Sequence, residues 1–354
     1  MIPASQEPHV GAGFTASQFS NAKRARIAQL ERPYVGFSRD RLLRDTLTSM
    51  VAGIPPDDYD QLDIPDKRRI IAICGESGAG KTRALIEHCN RIPEMRPFVD
   101  RDHILVKPVL WFKAPSPSTP QRLAFAGLIA LGVPVRANMA ENKIWELFQT
   151  ALKAHRVRFV VIDEAQDAIE TANRIEIVKI ANAFKNLVQM QDWSLRLVLV
   201  GVPPLAEFLE RKQLFTRRIV VPFQRISADA EVDTVVTILR KVVVDHAGMA
   251  LDQDLGDDFE KRLAHACDGQ IGSIIQMVRK ALEFAIERDE EWLALKHFAD
   301  AYRSFSGCKD NENVFEAAQW SDLNPYTALR RDGDLDYIEA RSTASKSRRA
   351  ARRA

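Results

Sequence analysis

The chain has 354 residues, with 50 basic and 48 acidic side chains and a formal net charge of +2, so it holds two or three domains and an ample core. A hydrophobic fraction of 46% and a charged fraction of 28% are ordinary for a soluble globular protein, and the near-neutral balance argues against a chain that simply coats nucleic acid with positive charge. The charge is nonetheless segregated. The last fourteen residues, RSTASKSRRAARRA, carry six basic groups and no acid, which leaves 44 basic against 48 acidic side chains in the rest.

No apolar stretch approaches the roughly 18–20 residues of a membrane-spanning helix. The N-terminal MIPASQEPHVGAGF lacks the basic region and apolar core of a secretory signal, so a cytoplasmic location without membrane contact is expected. Cys74, Cys89, Cys267 and Cys308 lie far apart with no CxxC pair, so neither a zinc site nor a disulfide framework is signalled.

In chain order, residues 1–30 read as an N-terminal extension, partly ordered, with a basic amphipathic segment over Asn21–Leu30. The pattern FSRDRLLRDTLTSM predicts an amphipathic helix over Phe37–Met50 with Ser38 as its N-cap. IPPDDYDQLDIPDK then reads as a loop. Five short apolar runs follow, at Ile70–Cys74, Val109–Phe112, Phe159–Ile162, Leu195–Val200 and Ile219–Phe223, separated by helical patterns. Continuous apolar runs between helices predict a parallel sheet covered on both faces. Beyond Ser227 the strand signals stop. Ala230–Ala247, Asp257–Cys267, Ser273–Arg288 and Trp292–Phe305 all predict helices, and apolar density falls from Gly307. The expected division is 1–30 extension, 31–226 α/β nucleotide-binding subdomain, 227–305 helical lid, and 306–354 C-terminal extension with the basic tail.

The first run leads directly into Gly75-Glu76-Ser77-Gly78-Ala79-Gly80-Lys81-Thr82, and Arg83 opens the helical stretch that follows. This is G-x-x-x-x-G-K-T between a strand and a helix, the context a phosphate-binding loop requires. Glycines let successive backbone N–H groups turn inward around phosphate oxygens, and the helix N-terminus adds donors and a favourable dipole. Lys81 would bring its charge to the β- and γ-phosphates of ATP, and the Thr82 hydroxyl would be a ligand to Mg²⁺. The third run ends in Asp163-Glu164-Ala165-Gln166-Asp167. At the C-terminal end of a parallel strand Asp163 can reach the Mg²⁺ sphere, and Glu164 points to where water attacks the γ-phosphate. The intervening run at Val109–Phe112 indicates the NTPase branch in which that glutamate is the catalytic base.

With these motifs placed, the chain resembles the TniB/TnsC family of transposition AAA+ ATPases from about Pro33 to Leu329. The segments that carry the resemblance are RPYVGFSRD, IIAICGESGAGKT, VLWFKAPSPSTPQRL, VRFVVIDEAQDAI, WSLRLVLVGVPPLAEFL, QLFTRRIVVPF, DGQIGSIIQMVRKAL and ENVFEAAQWSDLNPYTAL. The nucleotide motifs specify only the superfamily, whereas GVPPL, GQIG and VFEAAQW carry the narrower likeness. The fold this implies is an AAA+ P-loop NTPase: α/β, a parallel five-stranded sheet sandwiched by helices, followed by a small all-helical lid.

The implied function is an ATP-dependent regulator that polymerises on duplex DNA. It would meet a TniQ-like target selector, recruit a DDE transposase and disassemble on hydrolysis. Relatives place a polar γ-phosphate-sensing residue after the fourth strand, where this chain has Val202, and a sensing arginine in the lid, where it has Gly272. Hydrolysis is therefore expected to be slow. Arg217 and Arg218 stand where such enzymes present an arginine finger to a neighbouring subunit, or are a surface pair. Lys113, Thr119 and Arg122 flank a loop that reaches DNA in relatives, or are solvated surface groups. The tail adds DNA affinity, binds a partner, or does neither. A helicase loader or replication initiator and a nucleotide-gated signalling adaptor are the alternative functions.

Overall fold

The structure, a computed structural model, describes residues 21–55, 69–136, 138–170, 173–190, 193–227 and 231–325. Most of the IPPDDYDQLDIPDK loop, the first twenty residues and the basic tail lie outside the described residues. The chain divides into two compact units. One comprises Tyr34–Val232 and Cys267–Ile274; the described part of the other comprises residues 21–33, Asp233–Ala266 and residues 275–325.

The first unit is built on five strands, β1 (Ile70–Cys74), β2 (Val109–Lys113), β3 (Phe159–Asp163), β4 (Arg196–Gly201) and β5 (Arg218–Pro222). All pair in parallel, in the order β2-β3-β4-β1-β5. The three inner strands β1, β3 and β4 are buried at every position, which is why their sequences read as unbroken apolar runs. Edge strands β2 and β5 are only partly covered. Side chains alternate between two cores. Ile70, Ala72, Val160, Leu197 and Leu199 face one side with Leu123, Phe148 and Phe184. Ile71, Ile73, Val161, Val198 and Val200 face the other with Leu43, Leu47 and Leu85.

The second face is covered by α1 (Asp40–Ala52) and α2 (Lys81–Arg91), and the first by α3 (Pro120–Ala130), α4 (Glu141–Ala154) and α5 (Arg174–Val188). A short helix, α6 (Pro204–Phe208), follows β4. The N-cap expected at Ser38 is corrected: α1 starts at Asp40, and no side-chain cap is made. The buried Asp40 carboxylate instead accepts from the Phe37 N–H at 2.8 Å and the Tyr34 hydroxyl at 2.9 Å. An ionised acceptor binds these donors more strongly than a serine hydroxyl would, and it pulls the entering chain around the helix start.

The second unit holds α7 (Val232–Leu239), α8 (Phe259–Ala266), α9 (Ile271–Glu287) and α10 (Leu295–Ser306), of which α7 and α9 begin in residues of the first unit. A helix at Asn21–Leu30 joins them through Lys23 to Asp289 at 2.6 Å, and the chain after it through Arg279 to Glu31 and the Pro33 carbonyl. The expectation of helix from Trp292, with no strand after Ser227, is corrected by a short parallel pairing of Ala250–Leu251 with Trp292–Leu293. Leu293 is buried and Trp292 exposed, a two-residue alternation that extended chain satisfies. The helix then starts at Leu295, where His297 Nδ1 accepts the Ala294 N–H at 3.0 Å. The segment after Gly307 also folds onto this unit. Asn313 is fully buried, donating to the Ala299 carbonyl at 2.9 Å, and the Phe315 ring packs on Phe259, Phe298 and Tyr302. No helix of the described residues is long and apolar enough to cross a membrane.

Candidate functional site

The loop Gly75–Gly80 joins the C-terminal end of β1 to the N-terminus of α2, and Gly78 (φ 76°) and Gly80 (φ 85°) take the left-handed backbone that such a loop needs. Gly75 and Ala79 are buried, whereas Glu76, Ser77, Gly78 and Arg83 are exposed. Lys81 is buried, and its Nζ donates to the Gly75 carbonyl at 2.8 Å and the Glu76 carbonyl at 2.9 Å, so the ammonium lies folded inside its own loop. Burial lowers the Lys81 pKa from its ordinary value, opposed by the charges of Glu164 and Asp163.

One neighbour of the loop was not singled out by sequence reasoning. Arg39, just before α1, donates to the Ala79 carbonyl at 2.7 Å and stacks over the Phe223 ring at 4.6 Å. The only signal for it was its place in the RPYVGFSRD segment. On the loop's other side, the Ser273 N–H donates to the Gly78 carbonyl at 2.9 Å. Gly272 approaches so closely that a Cβ there would lie 2.3 Å from the Gly78 carbonyl oxygen and 2.9 Å from the Gly80 nitrogen. At this position the chain presses backbone against the phosphate loop.

The structure brings the two acidic-strand residues to the loop. The Thr82 hydroxyl donates to the Asp163 carboxylate, 3.1 and 3.2 Å from its two oxygens, and Asp163 is buried. The Glu164 N–H is held by Asp163 Oδ1 at 3.0 Å, and Glu164 itself is exposed with φ 51°, a left-handed conformation unusual for a side-chain-bearing residue. Hydroxyl and carboxylate in contact, beside a buried ammonium, form a hard-oxygen donor set that fits Mg²⁺ with the remaining positions left to water and phosphate.

The other expected residues make different contacts. Arg218 opens β5 opposite Ile70, the first residue of β1, so it lies at the far edge of the sheet, about 13 Å along the strand from the phosphate-loop end. Its guanidinium donates to the Ala206 carbonyl at 3.0 Å and lies 5.0 Å from the Phe215 ring; Arg217 beside it is half-buried. Lys113 is exposed at the end of β2, in register with Asp163. The Thr119 hydroxyl caps α3 by accepting the Arg122 N–H at 3.2 Å, and the exposed Arg122 donates to the Pro117 carbonyl at 2.9 Å.

Comparison with known proteins agrees with this geometry. An AAA domain model matches residues 64–209, the stretch from just before β1 to just beyond α6. Among solved structures, the chain is similar to Cdc6p from Pyrobaculum aerophilum, with 13% identity and a TM-score of 0.55 over 80% of this chain and 75% of that one. It is similar to the ORC1 protein of Aeropyrum pernix, solved in complex with DNA, with 19% identity and a TM-score of 0.54 over 81% and 70%. The ORC2 protein of Aeropyrum pernix, solved as ADPNP-ADP complexes, shares 14% identity and a TM-score of 0.50 over 80% and 75%. At these identities the likeness is one of fold. No curated protein sequence matches the chain. The architecture is the AAA+ fold: a parallel five-stranded sheet flanked by helices and followed by a helical region.

Proposed function

We propose that this chain is an ATP-driven switch on duplex DNA, which assembles on DNA as rings or filaments when ATP-bound and links a target selector of the TniQ type to a DDE transposase. The observation that carries the ATPase part is the contact between Thr82 and Asp163 with Glu164 one residue further on. Lys81 moves from the loop carbonyls to the β- and γ-phosphates, a charge that offsets its burial. Thr82 and Asp163 would hold Mg²⁺, and a cation bound there would supply positive charge against the phosphates. Glu164, exposed at the strand end, accepts the proton of the attacking water.

Arg217 or Arg218 reaches the nucleotide of the next protomer, so the site is completed only in an assembly. Lys113, Thr119 and Arg122 contact DNA phosphates. Because such contacts repeat along a polymer, a chain of net charge +2 needs few of them per protomer. The transposition part rests on the GVPPL, GQIG and VFEAAQW segments.

The fold likeness to Cdc6p and ORC1 favours a second reading, a replication initiator or helicase loader. Electron microscopy with a slowly hydrolysed ATP analogue separates the two. A transposition regulator forms rings or filaments on plain duplex DNA, and Glu164→Gln makes them long-lived in ATP. Monomers under these conditions would sink the proposal. Preference for forked DNA together with capture of a hexameric helicase supports the initiator instead. Indifference to Glu164→Gln points to an adaptor.

A further inference from the structure

Strand β4 ends in Gly201-Val202-Pro203 and offers no side-chain donor or acceptor where the neighbouring strand delivers Asp163 and Glu164. That place is filled from another direction. The Gln166 side chain, 7% exposed, lies over the end of β4, and a Cβ on Gly201 would come within 2.6 Å of its carbonyl oxygen. The Gln166 Nε2 donates to Glu164 Oε2 at 2.7 Å, and the Gln166 Oε1 accepts the Val202 N–H at 3.2 Å. The orientation of this amide is fixed by its partners, since a carboxylate can only accept and a backbone N–H can only donate. Backbone bonds clamp the turn on both sides, from the Ala165 N–H to the Val200 carbonyl at 2.8 Å and from the Ile169 N–H to the Gln166 carbonyl at 2.8 Å.

We propose that Gln166 is the positioning residue for hydrolysis: it pins one oxygen of the Glu164 carboxylate and ties it, through the Val202 N–H, to the end of β4. An exposed carboxylate on a left-handed residue has rotamers that point away from the phosphates, and the buried amide removes them. It therefore takes the place of the polar strand-end side chain that β4 lacks. Gly201 is the residue that makes room, because any side chain there would displace the amide. The inference rests on the reading of Glu164 as the catalytic base, and it predicts an effect on turnover rather than on nucleotide binding.

The test uses the full chain with duplex DNA and saturating ATP. Gln166→Glu keeps size and the acceptor for Val202 but replaces the donor to Glu164 by a second carboxylate, which repels Glu164 instead of holding it. It is expected to lower kcat at least about tenfold, with KM and nucleotide affinity within about threefold of the parent. In a Glu164→Gln background the same change is expected to add nothing, since the group it acts through is gone. Gln166→Met, which keeps volume and loses both bonds, is the second variant should Gln166→Glu melt early, with the same kcat loss and the same absence of effect in the Glu164→Gln background.

The proposal is overturned if the parent hydrolyses ATP, Glu164→Gln does not, and Gln166→Glu turns over at the parent rate. It is equally overturned if the losses from Gln166→Glu and Glu164→Gln simply multiply, or if affinity and kcat fall together, because a merely structural role gives those results. A parent that does not hydrolyse ATP, or a Glu164→Gln variant as active as the parent, refutes the ATPase reading itself and takes this inference with it.

Discussion

The Thr82 hydroxyl, on the first turn of α2, donates to the Asp163 carboxylate at the end of β3, with oxygens 3.1 Å apart. Two elements separated by some eighty residues of chain thus converge on one small cluster of oxygens. Thr82→Val keeps the shape of the side chain and deletes the hydroxyl. It is expected to weaken nucleotide binding about 10- to 100-fold with Mg²⁺ present, the range for a bond to a charged group. The loss is expected to vanish when EDTA replaces Mg²⁺, because the hydroxyl then has no cation to hold. Titration of a fluorescent ATP analogue under both conditions checks this, and an equal loss with and without Mg²⁺ contradicts it.

Gly272 offers a second test. A methyl group there meets backbone atoms of Gly78 and Gly80, and neither can yield as a flexible side chain would. Gly272→Ala is expected to lift the turn off the loop, break the bond from the Ser273 N–H to Gly78, and destabilise the protein by about 1–3 kcal/mol. Gly272→Arg, with a longer side chain in the same place, is expected to be worse. Thermal melting decides this: a variant that melts within a degree of the parent rules out the close approach.

The sheet was legible because its inner strands are buried on both faces and their composition says so. All five strand runs are found, each within a residue or two of its expected ends. The phosphate loop and acidic strand were legible because their chemistry demands fixed residue types at fixed spacing. What the sequence did not reveal were contacts between distant segments. Arg39 reaches the phosphate loop from forty residues upstream. Gln166 was visible in the DEAQ string, but its bond to the Val202 N–H depends on how β3 and β4 align. Ser38 was the local choice for an N-cap and lost to Asp40, whose charge is one residue inside the helix. The strand at Trp292–Leu293 is two residues long, too short for any periodicity to register.

Glu164 carries a backbone cost that can be separated from its chemistry. With φ at 51°, an ordinary L residue is held about 1–2 kcal/mol above its preferred conformation, whereas glycine is not. Glu164→Ala and Glu164→Gly remove the carboxylate and its bond to Gln166 alike, so they differ only in the backbone. The glycine variant is therefore expected to be the more stable by about 1 kcal/mol, reversing the usual order. Both are expected to be inactive. Denaturant unfolding of the pair measures the difference, and a more stable alanine variant refutes the strain.

His297 sets a pH dependence for the helical unit. Its Nδ1 accepts the Ala294 N–H, so the ring is neutral there, and burial lowers its pKa against the opposing pull of Glu290. The folded value is below the unfolded one, so on acidification the unfolded chain takes up the proton first. Stability is then full above the ordinary histidine range, near about 6.5, and falls as pH drops through it. His297→Gln, which does not titrate, is expected to show a shallower loss of melting temperature between pH 7.5 and 5.5 than the parent. Parallel slopes contradict this assignment.

The arginine pair decides whether the active site is shared. The Arg218 backbone sits at the β5 end opposite the start of β1, while the phosphate loop follows the end of β1, and its guanidinium is held by the Ala206 carbonyl. A doubly substituted Arg217→Ala/Arg218→Ala protomer keeps its nucleotide site, and a Lys81→Ala protomer keeps its arginines. Each alone is expected to be inactive. In a head-to-tail assembly mixed in equal amounts, about a quarter of the interfaces pair an intact nucleotide site with an intact arginine pair. Hydrolysis on duplex DNA is therefore expected to recover to about that fraction of the parent rate, and only upon mixing. Full inactivity of the mixture, when both proteins are shown to co-assemble, contradicts action across the interface. An active double-alanine protomer on its own shows instead that neither arginine is needed.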